Sequence, residues 1–414
     1  MMKGLRHSWK KENLYLKDYK PSAFKKCLQY ASFLEMEIKK IGIIGAGAMG
    51  TGIGQVAASN GCSVIFYDAY TPSLAKSKQS LYEVMDKLVA KNKLNRSKAD
   101  ELLTLCTWTH EMKDIVDAEL IIEAIVEDFQ VKKDIFTELS EMIDSKAIVA
   151  SNTSSLSITS LATTMQHPER FVGLHFFNPA PVMKLVEVIP ALQTHPDTVS
   201  TLMQLMGRWS KVPVTAHNTP GFIVNRVARP FYGEALRIYD EGLAGCSDID
   251  KAMKVIGGFN MGPFELMDFI GHDVNFRVTE SVYNSMFQDP RYKPSLTQKS
   301  LLDAGWLGRK SKKGFYNYPE GTETMRPIDT SMSDEDIFNR IFSMMVNEAA
   351  DAVYMGICTE EDAEKAMQLG TNYPKGLLEW GREYGYERIV QEMERLRGVY
   401  QEDRYRLSPY FKRL

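Results

Sequence analysis

The stretch Ile41-Gly-Ile-Ile-Gly-Ala-Gly-Ala-Met-Gly-Thr-Gly-Ile-Gly-Gln-Val-Ala-Ala-Ser-Asn-Gly-Cys-Ser-Val-Ile-Phe-Tyr-Asp68 constrains this chain more than any other. Ile41 to Ile44 is a short apolar run suited to a buried parallel strand. Gly45, Gly47 and Gly50 follow at G-x-G-x-x-G spacing, and a second apolar run, Ser63 to Tyr67, ends on a carboxylate. The order predicts a strand, a tight turn, a helix and a second strand. Gly45 permits the turn, Gly47 lets the backbone approach a pyrophosphate, and Gly50 lets the helix pack closely on the sheet. Ala48 and Met49 open that helix, whose free N–H groups face the phosphates. Asp68 falls where an acid meets the adenosine ribose 2′-hydroxyl; it would repel a 2′-phosphate, and Ala69 and Tyr70 bring no arginine in its place. The pattern therefore selects NAD over NADP.

At 414 residues the chain exceeds one ordinary core, and two or three domains are expected. A net charge of −3 points to neither nucleic acid nor a membrane surface. Cys27, Cys62, Cys106, Cys246 and Cys358 are scattered without C-x-x-C spacing. They read as buried thiols in a reducing compartment, which places the protein in the cytoplasm with no metal site. No apolar run approaches the roughly 18 residues that span a bilayer. Residues 1–35 differ from the rest, with eight Lys or Arg against three Asp or Glu and no signal-peptide core. An over-long start is the first reading, since Met36-Glu-Ile-Lys-Lys is itself a plausible beginning; a targeting segment and a docking helix are the others.

Beyond Asp68, Thr71-Pro72 reads as an N-cap and first-turn pair for a long helix reaching about Lys93. Leu120 to Ala124, Ala147 to Ala150 and Phe171 to Leu174 read as strands, with an amphipathic helix over Val131 to Ile143. Alternation of this kind predicts an α/β domain with a doubly wound parallel sheet of Rossmann type. Ligands then sit beyond the carboxyl ends of the strands, where Glu123, Ser151 to Ser155 and His175 should converge. His175 ends one apolar strand, and Glu187 lies twelve residues on within another, Leu185 to Ile189. A buried glutamate needs a partner. An imidazole satisfies it, and the pair has the logic of a base oriented by a carboxylate.

Gly45-Ala-Gly-Ala-Met-Gly50, Ser151-Asn-Thr-Ser-Ser155, His175-Phe-Phe-Asn-Pro179, Met183-Lys-Leu-Val-Glu187 and Thr219-Pro-Gly-Phe-Ile-Val-Asn-Arg226 occur in this order. Together they resemble the successive signatures of 3-hydroxyacyl-CoA dehydrogenases, from about Ile38 to the end of the chain. The resemblance implies that His175 is the general base for the substrate 3-hydroxyl and that Glu187 orients it. It also implies that Ser154 and Asn225 hold substrate oxygens, that Glu127, Lys132, Asn178 and Lys310 contact NAD, and that Lys91 meets the CoA moiety. A CoA-facing serine of part of the family falls on Val84 here. The implied reaction is oxidation of a 3-hydroxyacyl-CoA, with 3-hydroxybutyryl-CoA the first expectation, to a 3-oxoacyl-CoA, and the reverse.

Asn218-Thr-Pro-Gly221 reads as a linker, after which the sequence turns helical and repeats itself at an offset of 114 residues. Asn225-Arg226 matches Asn339-Arg340, Glu234-Ala235 matches Glu348-Ala349, and Lys251-Ala-Met253 matches Lys365-Ala-Met367; Gly242, Gly262, Glu265 and Gly271 match Gly356, Gly376, Glu379 and Gly385. The expected organisation is an extension over 1–35, a Rossmann domain over 36–218, a first helical copy over 219–330 and a shorter second copy over 331–414. In single-copy relatives this helical domain resembles a dimer interface. The chain is thus expected either as a homodimer or as a monomer whose second copy stands in for a partner. Three readings compete with the first: a 3-hydroxyadipyl-CoA dehydrogenase of phenylacetate breakdown, a dehydrogenase of short-chain 3-hydroxyacids with a lysine base and no CoA, and an NAD-binding structural protein without turnover.

Overall fold

The computed structural model describes residues 37–318 and 320–413; the expectations for residues 1–35, and Cys27, lie outside them. Eight strands form one sheet: β1 (Lys40–Ile44), β2 (Ser63–Tyr67), β3 (Cys106–Thr109), β4 (Leu120–Glu123), β5 (Ile148–Ser151), β6 (Phe171–Phe176), β7 (Leu185–Pro190) and β8 (Val212–Thr215), in the order β3-β2-β1-β4-β5-β6-β7-β8. Helices α1 (Ala48–Ser59), α2 (Thr71–Ala90), α3 (Arg96–Thr104), α4 (Phe129–Ser140), α5 (Ile158–Ala162) and α6 (Pro196–Arg208) connect them.

The doubly wound parallel sheet needs one correction: β7 runs antiparallel to β6, and β8 then runs parallel to β7. The link from β6 to β7 contains no helix to carry the chain back across the sheet, and a short return can only reverse direction. Two smaller differences have local causes. Tyr70, not Thr71, holds the cap position of α2, because Asp68 Oδ1 accepts the Tyr70 N–H and sets the turn there. Edge strand β3 is half polar, Cys-Thr-Trp-Thr, and lacks the apolar run by which the others announce themselves.

The rest is helical apart from a small antiparallel pair of strands, Tyr316–Asn317 and Thr322–Glu323: α7 (Val224–Val227), α8 (Arg229–Asp240), α9 (Cys246–Val255), α10 (Pro263–Ile270), α11 (His272–Ser285), α12 (Leu296–Asp303), α13 (Asp334–Tyr354), α14 (Glu360–Thr371), α15 (Leu377–Tyr384) and α16 (Tyr386–Tyr400). The starts of α14, α15 and α16 follow those of α9, α10 and α11 at the 114-residue offset. Positive φ recurs at the matched glycines, +72° and +69° at Gly242 and Gly356, +97° and +103° at Gly271 and Gly385. Polar contacts recur as well. Asp250 accepts the N–H groups of Phe264 and Glu265, and Glu364 those of Leu378 and Glu379.

The two sets of helices face each other through α8 and α13, and their ion pairs are exchanged: Arg226 Nε reaches Glu348 at 2.6 Å, while Arg340 Nε reaches Glu234 at 2.7 Å. Residue i of one copy touching residue j of the other, and the reverse, is the mark of an isologous contact. One face of the sheet shares a continuous apolar core with the helices, Leu185, Ile189 and Val214 joining Phe231, Ile341 and Met367. The second copy also reaches the sheet directly. A Cβ on Gly370 of α14 would lie 2.7 Å from Leu185 and 2.9 Å from Val224, so only glycine permits that approach.

Candidate active site

The glycine turn has the geometry its spacing requires. Gly45 sits at φ +100°, and a Cβ there would strike the Ala124 carbonyl oxygen at 2.7 Å. A Cβ on Gly50 would lie 1.8 Å from the Gly45 carbonyl oxygen, so this glycine closes turn and helix upon each other. Around Gly47 nothing stands within 4 Å of an added Cβ, and as the N-cap of α1 it supplies no side-chain bond. The first N–H groups of α1 are thus left for an outside acceptor, with Ala48 and Met49 beside them. Asp68 Oδ2 accepts the Ala46 N–H at 2.9 Å, which ties the carboxylate at the end of β2 to the glycine turn. An uncapped helix start, an open approach over Gly47 and an acid at the second strand end fit a dinucleotide.

The loop after β5 is built around two carboxylates and one lysine. Glu123, fully buried, accepts from Lys132 Nζ at 2.5 Å, Ser151 Oγ at 2.6 Å and the Ile125 N–H at 2.8 Å. Glu127 gathers Thr153 Oγ1 at 2.6 Å and the N–H groups of Ser154 and Ser155 at 3.0 and 3.2 Å, with Lys132 3.4 Å away. Burial pushes the Glu127 carboxyl up, but Lys132 and these donors outweigh it and hold the group below the usual range. Lys132 is only 1% exposed. It is therefore no solvated helix lysine, and its charge is spent on Glu123 and Glu127. The role of Glu123 in fixing Lys132 was not legible, since a strand-end acid carries no spacing signal to a lysine one helix away.

His175 and Glu187 stand directly opposite in the β6–β7 register. The antiparallel turn makes the twelve-residue spacing a cross-strand pair, with His175 Nδ1 2.6 Å from Glu187 Oε2. The other carboxylate oxygen accepts the N–H groups of Ile223 and Val224, both at 3.0 Å. A carboxylate receiving two backbone N–H bonds is the acceptor toward the ring as well, so Nδ1 carries the proton and Nε2 keeps its lone pair. Phe177 and Phe222 flank the imidazole, ring centroids 4.5 and 5.9 Å away. Glu187 thus orients the histidine and pins the start of the helical region with one side chain.

Phe177, Asn178, Val224 and Asn225 lead from this pair into a cleft of 440 Å³ that continues between α8, α10 and α11 and ends against Gly370 to Tyr373 of the second copy. The side-chain amides of Asn178 and Asn225 line it without a hydrogen bond to any described residue. Ser154 is half-buried on the Glu127 loop, its Oγ 3.4 Å from Glu127. Lys310 pairs with Asp273 at the start of α11, beside the cleft-lining Val274. Lys91, exposed at the end of α2, has no ion pair among the described residues, and Val84 is half-buried two turns back on the same side of the helix. Sequence reasoning missed Arg229 and Tyr373, two buried residues of the cleft. The one signal for the first is an arginine between the apolar Val227-Ala228 and Pro230-Phe231.

Residues 40–219 match the family model described as 3-hydroxyacyl-CoA dehydrogenase, NAD binding domain, and residues 221–318 and 337–414 match the 3-hydroxyacyl-CoA dehydrogenase C-terminal domain. The 3-hydroxyadipyl-CoA dehydrogenase of Escherichia coli K12 is 35% identical, over 90% of this chain and 96% of that one. The human mitochondrial hydroxyacyl-coenzyme A dehydrogenase is 40% identical over 70% of this chain and 94% of its own length. Among solved structures, the 3-hydroxybutyryl-CoA dehydrogenase of Escherichia coli K12 superposes with a TM-score of 0.86 at 35% identity, covering 91% of this chain and 98% of that one.

Proposed function

Since the chain belongs to the 3-hydroxyacyl-CoA dehydrogenase family, we propose that it interconverts (S)-3-hydroxyacyl-CoA and 3-oxoacyl-CoA, with His175 as the group that takes and returns the hydroxyl proton. The observation that carries this reading is the buried His175–Glu187 pair at the mouth of an apolar cleft. Bound NAD would be held by the turn at Gly45 to Gly50 and by Asp68, and it supplies the hydride acceptor. The chain does the rest. Glu187 holds the proton on Nδ1, which leaves Nε2 as the base facing the substrate hydroxyl. Asn225 and Ser154 donate to the substrate oxygens as the carbonyl forms. Phe177 and Phe222 keep water from the imidazole, so the proton is exchanged with substrate rather than solvent. In the reverse direction the imidazolium returns the same proton.

The exchanged Arg226–Glu348 and Arg340–Glu234 pairs support a monomer whose second helical copy fills the surface a partner subunit would otherwise cover. Light scattering at micromolar concentration tests this; a stable dimer would overturn it. The four described cysteines are buried, and burial raises the thiols of Cys106 and Cys358 to about 12, as suits a reducing cytoplasm. The reaction is tested by following NADH oxidation with acetoacetyl-CoA. His175→Ala is expected to lose about 10²- to 10⁴-fold in kcat while NADH still binds. Equal loss of turnover and NADH affinity would remove His175 from this role.

A further inference from the structure

Five arginines of the helical region are buried: Arg226, Arg229, Arg291, Arg340 and Arg404. Four have a carboxylate within 4 Å, Arg226 and Arg291 sharing Glu348 and Asp351, Arg340 and Arg404 meeting Glu234. Arg229 has none among the described residues. Its Nε donates to the Asn225 carbonyl at 2.8 Å, Nη1 reaches Thr279 Oγ1 at 3.0 Å and the Asn275 carbonyl at 3.5 Å, and its guanidinium lies 5.0 Å from the centre of the Tyr232 ring. Nη2 donates to no group among the described residues. A buried charge without a counter-charge is costly, and native proteins keep one where a ligand completes it.

The position of this arginine says which ligand. Arg229 lines the cleft that begins at Asn225, one helical turn or about 6 Å along the axis. No Asp or Glu lines that cleft, and its walls are mostly apolar, Phe231, Phe259 and Phe269 among them. Tyr373, brought in by the second helical copy, also lines it, and its buried hydroxyl has no hydrogen-bond partner. A guanidinium and an orphan phenol in an apolar cleft are complementary to one carboxylate. Diphosphate groups of CoA would instead need an open, polar mouth.

We propose that Arg229, with Tyr373, binds a carboxylate at the far end of the acyl chain, which makes this a dehydrogenase selective for 3-hydroxy dicarboxylic acyl-CoA. The assignment rests on the dehydrogenase reading above and takes the cleft that opens at Asn178 and Asn225 as the place of the acyl chain. In a six-carbon diacid three bonds separate C3 from the terminal carboxyl carbon, about 3.5 Å of extended chain, and a hydrogen bond adds about 2.9 Å, a reach of about one helical turn. Burial disfavours the Arg229 charge, with Tyr232 and Tyr373 as its nearest coupled groups; an incoming carboxylate offsets that cost.

The test compares NADH oxidation with 3-oxoadipyl-CoA and 3-oxohexanoyl-CoA, which differ only at the far end. For the unaltered protein kcat/KM should favour the diacid by about 10²-fold or more, since a site built around a polar group rejects an analogue lacking it. Arg229→Met should lower that diacid-to-monoacid ratio by about 10²-fold, and Tyr373→Phe, which removes one hydroxyl, by about 10-fold. Arg229→Lys should recover part of the ratio. Preference of the unaltered protein for the monoacid would overturn the assignment and leave the dehydrogenase reading intact. Equal loss on both substrates in the three variants would mark Arg229 and Tyr373 as structural and overturn it too. Turnover of neither substrate, with NADH bound, would overturn both readings.

Discussion

Replacing Glu187 by glutamine isolates the orientation of His175 from everything else the pair does. The side chain is fully buried and receives three hydrogen bonds, one from His175 Nδ1 at 2.6 Å and two from the N–H groups of Ile223 and Val224 at 3.0 Å. Glutamine has the same shape but one acceptor oxygen and one donor nitrogen. Turning its nitrogen toward Ile223 and Val224 would oppose donor to donor twice. The favoured arrangement therefore keeps the oxygen on the two backbone groups and gives the NH₂ to the imidazole. Nδ1 must then be an acceptor, and the proton moves to Nε2, the atom required as base. A tautomer error of this kind costs up to about 10⁴ in kcat in catalytic triads, and about 10³-fold is expected here. Stability should fall by only about 1–3 kcal/mol, because both backbone bonds survive and the charge-assisted bond to the imidazole is replaced by a neutral one. The assay is steady-state NADH oxidation with acetoacetyl-CoA, beside NADH titration by fluorescence and thermal unfolding. NADH affinity should stay within about twofold, as Glu187 touches none of the glycine turn. A Glu187→Gln protein with kcat within about fivefold of the unaltered one would refute the orientation argument. So would loss of NADH binding in parallel with kcat.

Other perturbations separate the remaining parts. Gly47→Ala adds a methyl that meets nothing in the folded chain, so Tm should hold while NADH affinity drops by about 10-fold or more; undiminished affinity would take the pyrophosphate away from this turn. Glu348→Gln removes the charge shared by Arg226, Arg291 and Tyr292. Burial pushes that carboxyl up, but Arg291 and Arg226 outweigh it and hold it low, and breaking such a cluster costs about 3–5 kcal/mol. Chemical denaturation measures this, and a loss under about 1 kcal/mol would mean that the exchanged ion pairs do not hold the two copies together. The Glu127 carboxyl is depressed in the folded state because Lys132 and its donors outweigh burial. Its contribution to stability is complete above the usual glutamate range and is lost as the pH falls through the lower folded value. Glu127→Gln should accordingly flatten the acid limb of a stability–pH curve below about pH 4.5, and an unchanged limb would show that another carboxylate sets it.

Local chemistry was enough for the dinucleotide half. The steric demands at Gly45 and Gly50, and the acid at Asp68, act within one strand-turn-helix-strand unit, so spacing alone predicts them, and the glycines occupy those positions. The repeat was legible for a related reason, since the matched glycines and acids each serve a local turn or helix start at φ near +70° or +100° or by accepting backbone N–H groups. What lay beyond the sequence depends on which surfaces meet. His175 and Glu187 were visible as a candidate pair, but the reversal of β7 that sets them opposite each other comes from the short return without a helix between the strands, which the apolar runs themselves do not announce. Lys132 was expected at the cofactor, but nothing in the spacing announces that Glu123 and Glu127 close over it. Arg229 is one arginine among many until the fold buries it with no carboxylate among the described residues within reach and the second helical copy lays the unpartnered Tyr373 hydroxyl against the same cleft. Spacing reports the bonds a chain makes with itself over a few residues; the buried charges of Arg226 and Arg340 get their meaning from carboxylates more than a hundred residues away, and only the folded arrangement brings those together.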